Sequence, residues 1–165
     1  MKYTSAEAAK LLRSLAEELE AVKDAEKASY EFVAATVEDL ETVRPDYNFA
    51  DTQKEIERLQ KEIRKVKHAI NVFNTTTVIP ELGMTIDEAL VYIPQLSITK
   101  NKLSNMRNRL ARSREYSRSG SNIIEYRYAN YDIETADAEF KRVSDLLAKA
   151  QTALDVVNTT VKFEI

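Results

Sequence analysis

The sequence predicts a mostly α-helical protein in which four long helices form an antiparallel, coiled-coil-like bundle with a small two-stranded β-ribbon. Two observations carry this prediction. Apolar residues recur at alternating intervals of three and four over long stretches, the spacing that places side chains along one face of a helix. The 165 residues include only two glycines and three prolines, so the backbone has few positions for sharp turns. Residues 1–165 are enough for one substantial core, and we expect a single domain.

The clearest apolar pattern lies near the C-terminus. Asp132 can cap a helix there, which we expect to run to about Thr160. The pattern repeats every seven residues, so its side chains form a narrow seam that must be buried against another helix. Its members are Ile133, Ala136, Phe140, Val143, Leu147, Ala150, Leu154, Val157 and Val161.

Two helices are predicted in the first half of the chain. Thr4 and Glu7 have the spacing of a capping box, so the first helix should begin there and end near residue 28. Asn48 can cap the second helix. The seam of that second helix consists of Ile56, Leu59, Ile63, Val66, Ile70 and Phe73.

A third helix should follow the second. Thr85 and Glu88 form another capping box, and the apolar residues after them are less regularly spaced than in the other helices. Pro94 lacks a backbone N–H and should bend this helix. A complete break at Pro94 is the alternative.

Two segments have the alternation typical of strands. Tyr30 and Phe32, followed by β-branched residues, predict a strand over 29–36. Residues 113–122 form a polar loop, and the alternation of Ile124, Tyr126 and Tyr128 with charged residues predicts a second strand. The two strands could pair beside the bundle. Because a lone two-stranded ribbon is marginal and has open edges, a second subunit should extend or cover it, and we expect a homo-oligomer.

The composition of the chain limits the classes of binding partner and the cellular compartment that we expect. The net charge of −3 is too small to predict a polyanionic or polycationic partner, so we do not expect nucleic acid to bind. The absence of cysteine excludes disulfides and thiolate metal sites. No export signal opens the sequence and no stretch approaches the roughly 20 apolar residues of a membrane span. We therefore expect a cytoplasmic protein.

The sequence contains no recognisable catalytic pattern. It has no glycine-rich phosphate loop, nucleophile elbow or zinc-ligand spacing. Its one histidine, His68, lies opposite the apolar seam of the second helix, where solvent exposure is expected. We expect neither enzymatic activity nor a cofactor.

An arginine cluster follows the third helix, offset only by Glu115. It could hold phosphate or an acidic partner. The simpler interpretation is a set of cations favourably placed at a helix C-terminus. The cluster consists of Arg107, Arg109, Arg112, Arg114 and Arg118.

The second and last helices end in a similar way, because residues 69–76 and 153–160 match each other and both close with Asn-Thr-Thr. Asn tolerates left-handed backbone and Thr can satisfy orphan carbonyls, so helix termination explains the motif. The alternative is that Asn71, Asn74 and Asn158 bond across the bundle and fix its register, as buried Asn does in coiled coils.

Residues 67–76, 84–87, 117–119, 128–132 and 154–160 together resemble a family of small uncharacterised bacterial proteins. Members carry labels such as septicolysin or viral A-type inclusion protein. The resemblance covers most of the chain and is strongest from about residue 46. It implies a mostly helical protein of unknown biochemical role, and the labels imply a lytic toxin or an inclusion-body component.

We thus predict a self-associating structural or interaction protein. A membrane-active cytolysin and an anion-binding or nucleic-acid-binding module that uses the arginine cluster are the alternatives.

Overall fold

The structure is a computed structural model that describes residues 1–115 and 124–165. Most of the described residues lie in four long helices and one short one: α1 (Ser5–Ser29), α2 (Leu40–Val43), α3 (Phe49–Thr76), α4 (Ile86–Arg107) and α5 (Ile133–Thr160). The strands are β1 (Lys2–Thr4), β2 (Val78–Ile79), β3 (Met84–Thr85), β4 (Arg112–Glu115), β5 (Glu125–Tyr128) and β6 (Lys162–Glu164). They form antiparallel ribbons of two strands each, pairing β1 with β6, β2 with β3, and β4 with β5. The predicted class, a helical bundle with small β-ribbons, is confirmed.

The capping boxes set the starts of α1 and α4 as the sequence predicts. At the start of α1, the Glu7 N–H donates to Thr4 Oγ1 (3.2 Å) and the Thr4 N–H donates to Glu7 Oε2 (2.8 Å). Thr85 and Glu88 make the same reciprocal bonds, at 3.2 and 2.7 Å, at the start of α4. Each box satisfies two backbone N–H donors at the helix end that would otherwise lack partners.

The other predicted helix boundaries also agree with the structure. Asn48 Oδ1 accepts the Asp51 N–H (3.2 Å), and Asp132 Oδ2 accepts the Thr135 N–H (2.8 Å). Helix α4 continues through Pro94, so the alternative of a break there is wrong. The helix keeps its regular bonds on either side of the one that proline removes.

The contacts divide the chain into two compact units: residues 1–76 with 157–165, and residues 77–156. In the first unit α1 and α3 run antiparallel, since Glu26 near the end of α1 accepts from Gln53 near the start of α3. Farther along, Glu18 pairs with Arg58 at 3.3 Å. The prediction of a single domain stays a prediction.

The core of the first unit follows the predicted seam of α3. Leu59, Val66 and Phe73, seven residues apart, are buried. Phe73 also stacks on Phe163 of β6, with ring centroids 4.4 Å apart. The alternate seam positions, Ile56, Ile63 and Ile70, are only half-buried. The seam therefore has a buried set of residues, at Leu59, Val66 and Phe73, and a second set that the chain covers only in part.

The second unit has its own core between α4 and α5. Arg107 at the end of α4 lies beside Asp137 near the start of α5, so these helices are antiparallel as well. Their buried residues are Leu96, Leu103, Val143, Leu147 and Ala150. All three of those from α5 belong to its predicted seam. Farther along α5, Ala153 is buried and the predicted Leu154 is half-buried.

The strand predictions were wrong in part. Residues 30–39 have no regular secondary structure, and Val33 and Val37 are 97% and 95% exposed. A β-branched sequence forms a strand only when a neighbouring strand and a core surface accept it. The strand predicted over 29–36 therefore does not form, and it cannot pair with residues 124–128.

The actual partner of β5 is β4, with Arg112 opposite Tyr128 and Glu115 opposite Glu125. The predicted loop over 113–122 is thus a strand as far as residue 115, and its residues 116–122 lie outside the described residues. The segment after α5 contributes β6. The strand predicted around Ile124, Tyr126 and Tyr128 is confirmed as β5.

Candidate functional site

The first residue of the arginine cluster, Arg107, is bound within the second unit. Its Nη1 lies 3.0 Å from Asp137 Oδ1, and its guanidinium carbon lies 3.7 Å from the centroid of the Phe140 ring. Lys141 Nζ also pairs with Asp137, at 2.7 Å. Hydrogen bonds from Lys141 and then from Arg107 lower the pKa of Asp137. Arg107 therefore joins α4 to α5.

Two further cations interact with neighbours on the β4–β5 ribbon. The Arg112 guanidinium carbon lies 3.6 Å from the centroid of Tyr126, and Tyr128 is farther away at 5.9 Å. Arg127, which sequence reasoning did not single out, forms a bidentate pair with Glu115 at 2.8 and 2.9 Å. Arg112 and Arg114 share one face of β4, because alternate residues of a strand point the same way.

Arg109 occupies a different setting. It is exposed and borders a cavity of about 430 Å³ together with Ser113, Asn130 and Tyr131. The Tyr131 hydroxyl donates to the Met106 carbonyl at 2.8 Å, which fixes one wall of this cavity. Arg118 lies outside the described residues. An anion site built from the five arginines stays a prediction.

The helix-end asparagines differ in exposure. Asn71 is exposed, whereas Asn74 and Asn158 are half-buried in the last turns of α3 and α5. Thr75 Oγ1 donates to the Asn71 carbonyl (2.9 Å) and Thr76 Oγ1 to the Val72 carbonyl (2.7 Å). Both carbonyls lie one turn inside α3 and also accept the N–H groups of Thr75 and Thr76 in a regular helix, so they are not orphan carbonyls. The role predicted for threonine at the end of the second helix stays a prediction.

The backbone role predicted for asparagine was wrong. No residue other than glycine has a positive φ in the described ranges. Asn74 and Asn158 lie inside helices, so left-handed backbone is not needed there. Asn74 Oδ1 is enclosed and has no hydrogen-bond partner among the described atoms. The register role of Asn71, Asn74 and Asn158 stays a prediction.

An apolar groove of about 630 Å³ lies in the second unit. Its apolar lining comes from the β2–β3 hairpin, α4 and α5: Leu82, Met84, Tyr92, Leu146, Ala153 and Val156. Glu81 and Lys149 stand among these residues. A groove of this volume and lining can accept apolar side chains or an apolar ligand.

Helix α4 also carries an exposed apolar face that sequence reasoning missed. Leu90, Val91 and Ile98 are 47%, 58% and 70% exposed. With exposed Pro94 they occupy positions i, i+1, i+4 and i+8, which lie on one side of a helix. The irregular apolar spacing of this helix was the available sign, because a helix with apolar residues on all sides has no clean seam.

Two further kinds of feature are absent from the part of the chain that the structure describes. No helix there combines the length and apolar content that crossing a bilayer requires. No group of three or more His, Cys, Asp or Glu side chains in the same residues is placed to hold a metal ion.

Comparison with known proteins identifies a solved structure with a similar fold. No family model matches this chain, and no curated protein is detectably similar. The crystal structure of a functionally unknown conserved protein from Corynebacterium diphtheriae matches over 99% of this chain and 100% of its own, with a TM-score of 0.58 and 19% identity. The two chains share a fold. At this identity the likeness does not extend to function, and the resemblance to proteins labelled septicolysin or inclusion protein stays a prediction.

Proposed function

We propose that this chain is a self-associating helical interaction protein and that the exposed apolar face of α4 is its contact surface. The observation that carries the proposal is the distribution of apolar residues around the first half of α4. Ile86, Ala89 and Leu96 are buried within the second unit, while Leu90 and Ile98 on the opposite side face solvent. A helix that is hydrophobic all round is normally covered on all sides.

The size of this face indicates what kind of contact it can support. Burying a Leu, Val or Ile side chain completely contributes about 1.5–3 kcal/mol. Leu90, Val91 and Ile98 are roughly half exposed, so covering them adds about 1 kcal/mol each, counted twice in a two-fold contact. Association costs about 4–15 kcal/mol. The gain of about 6 kcal/mol from the two copies falls within this range, so a stable contact must cover more of the α4 surface than these three side chains.

The first unit supports the same proposal. Ile56, Ile63 and Ile70 recur every seven residues along α3 and are only half-buried. In a coiled coil both positions of the seam insert between residues of a neighbouring helix. A second copy of the chain would supply the missing neighbour.

A membrane-active cytolysin is the second candidate, because an exposed apolar face can also lie on a bilayer. Helices that bind membrane surfaces usually carry Lys and Arg on their polar side. Residues 86–99 of α4 include Asp87 and Glu88 and contain no Lys or Arg. This charge pattern favours a protein partner over an anionic lipid surface. The cytoplasmic location expected from the sequence stays a prediction.

The proposal is tested by placing a charge on the exposed face. Val91→Asp and Ile98→Asp alter solvent-facing positions, so the fold of the second unit should persist, as circular dichroism would verify. Gln60→Asp adds the same charge to an exposed position of α3 and is the matched control. Light scattering at micromolar concentration should show more than one copy for the wild type and the control, and a lower mass for both face variants.

Three outcomes separate the candidates. Unchanged masses in Val91→Asp and Ile98→Asp would mean that another surface mediates association. A monomeric wild type would contradict self-association itself. Release of dye from liposomes by the wild type, lost in Ile98→Asp, would favour the cytolysin.

A further inference from the structure

Among the described residues, no strand pairs with the outer edge of β5. Strand β5 pairs with β4 alone among the described strands, and all four of its residues are exposed. The Ala129 N–H donates to the Ala111 carbonyl at 3.0 Å. Inward and outward backbone groups alternate along an antiparallel strand, so the N–H and C=O groups of residues 124, 126 and 128 point away from β4.

The charges on the ribbon are balanced on one side only. Glu115 and Glu125 lie directly opposite each other across the two strands, an arrangement that is unfavourable for like charges. Glu115 is compensated by its bidentate pair with Arg127. Glu125 forms no ion pair with any side chain in the described ranges. Within residues 1–115 and 124–165, its carboxylate therefore has no counter-charge.

We propose that β5 pairs antiparallel with β5 of a second copy of this chain, about a two-fold axis at Tyr126, to form a continuous four-stranded sheet. This inference rests on the proposed self-association and adds a second contact to the one through the α4 face. In this register Glu125 of each copy lies opposite Arg127 of the other, and Ile124 lies opposite Tyr128. The outward backbone groups of residues 124, 126 and 128 then form about six hydrogen bonds between the copies.

The charge sequence selects this register over its neighbours. An axis at Glu125 would place two glutamates opposite each other, and an axis at Arg127 would do the same with two arginines. Only the axis at Tyr126 gives two pairs of opposite charge. Self-complementarity of this kind is what a two-fold contact requires, because each residue must meet its partner twice.

The outer edge of β4 is a poorer candidate. Its sequence is Arg-Ser-Arg-Glu over residues 112–115. A two-fold axis at residue 112 or 114 would place an arginine opposite its own copy. An axis at Ser113 would place Arg112 opposite Arg114. Each register of β4 therefore opposes like charges, which is the usual protection of a free strand edge.

Charge reversal provides the first test. Glu125→Arg faces Arg127 of an identical copy with like charge, and Arg127→Glu faces Glu125 in the same way. Each variant alone should pair about tenfold more weakly or worse than the wild type in sedimentation velocity. An equimolar mixture of the two variants restores both opposite-charge pairs, so it should recover the wild-type affinity. Glu125→Arg also removes the repulsion with Glu115, so its own ribbon should remain folded.

Cysteine crosslinking gives an independent test, since the chain has no cysteine of its own. In the proposed sheet the two copies of residue 126 form a hydrogen-bonded pair with Cα atoms about 5.5 Å apart, within disulfide range. Mild oxidation of Tyr126→Cys should therefore yield a covalent dimer. Ser113→Cys is the matched control, because its two copies would lie three strand spacings, about 14 Å, apart.

The outcomes distinguish this contact from self-association in general. If the wild type associates but Tyr126→Cys crosslinks no faster than Ser113→Cys, and the charge variants associate like the wild type, the β5 contact is wrong while the proposed function stands. If the wild type is monomeric at all concentrations, both are wrong. Crosslinking at residue 126 together with recovery in the mixture supports the contact.

Discussion

Arg107 lies over the ring of Phe140, with its guanidinium carbon 3.7 Å from the ring centroid. The same guanidinium pairs with Asp137 at 3.0 Å. One cation thus contacts two residues of α5 from the last turn of α4. Since a partly desolvated cation–π contact contributes about 0.5–2 kcal/mol, this arginine has a structural role that its place in a charge cluster does not reveal.

Replacing Arg107 should therefore cost stability. We expect Arg107→Ala to lower the free energy of unfolding by about 1–2 kcal/mol, from the lost ring contact and the lost packing of its aliphatic stem. Arg109→Ala, at an exposed position, should change it by less than about 0.5 kcal/mol. Urea titration of the two variants measures the difference. Equal stabilities would show that the contact with Phe140 contributes nothing.

Acid should weaken the start of α4. The hydrogen bond from the Thr85 backbone, followed by that from its hydroxyl, lowers the pKa of Glu88 below its ordinary value of 4.5. The ionised carboxylate therefore stabilises the folded state at neutral pH, and this stabilisation is lost as the pH falls below 4.5 and through the lowered pKa. Glu88→Gln should lose less stability on acidification than the wild type, in thermal melts recorded at neutral and acidic pH. Identical losses would contradict this role of the capping box.

The buried line of the α3 seam should dominate the stability of the first unit. Leu59 is fully buried, so Leu59→Ala should lower the free energy of unfolding by about 2–5 kcal/mol through lost burial and a residual cavity. The neighbouring Gln60 is exposed, and Gln60→Ala should change it by less than about 0.5 kcal/mol. Chemical denaturation compares the two, and a small effect at Leu59 would mean that the seam is not a core.

The register hypothesis makes a prediction about Asn74. Its Oδ1 is enclosed without a hydrogen-bond partner in the described part of the chain, so association that supplies a donor to this oxygen requires the end of α3 to repack. Asn74→Leu and Asn158→Leu should then change the mass measured by light scattering, whereas Asn71→Leu, at an exposed position, should not. An unchanged mass in all three variants would leave helix termination as the whole role of the motif.

Polyanion chromatography tests the anion-binding alternative. Because Arg107 is occupied by Asp137 and Arg112 stacks on Tyr126, we expect the wild type to pass a heparin column without retention at moderate salt. Retention that disappears in Arg109→Ser would contradict this expectation. It would assign the anion site to the cavity beside Arg109.

Features encoded by neighbouring residues could be predicted from the sequence. Each of the two capping boxes, Thr4 with Glu7 and Thr85 with Glu88, involves only residues three positions apart. Both begin helices as expected. The spacing of Leu59, Val66 and Phe73 likewise needs only the period of a helix. In these cases the physical cause lies within one or two helical turns.

Features that depend on distant partners could not be predicted. The three-residue strand β1 pairs with β6 at the other end of the chain. Neither segment has a sequence pattern that indicates which strand it pairs with. Val33 has strand propensity but no neighbouring strand, whereas the arginine-rich β4 becomes a strand because β5 pairs with it. The contact of Arg107 with Phe140 joins two helices that are distant in the sequence. The sequence therefore shows only a cluster of arginines, whereas the structure shows that Arg107 contacts Phe140.

Sedimentation equilibrium of the wild-type chain, from nanomolar to high micromolar concentration, tests the central claim most directly. Self-association through the α4 face predicts an average mass that rises with concentration toward a whole multiple of 18.8 kDa, and a smaller rise in Ile98→Asp. A mass that stays at that of one chain across the whole range would contradict it.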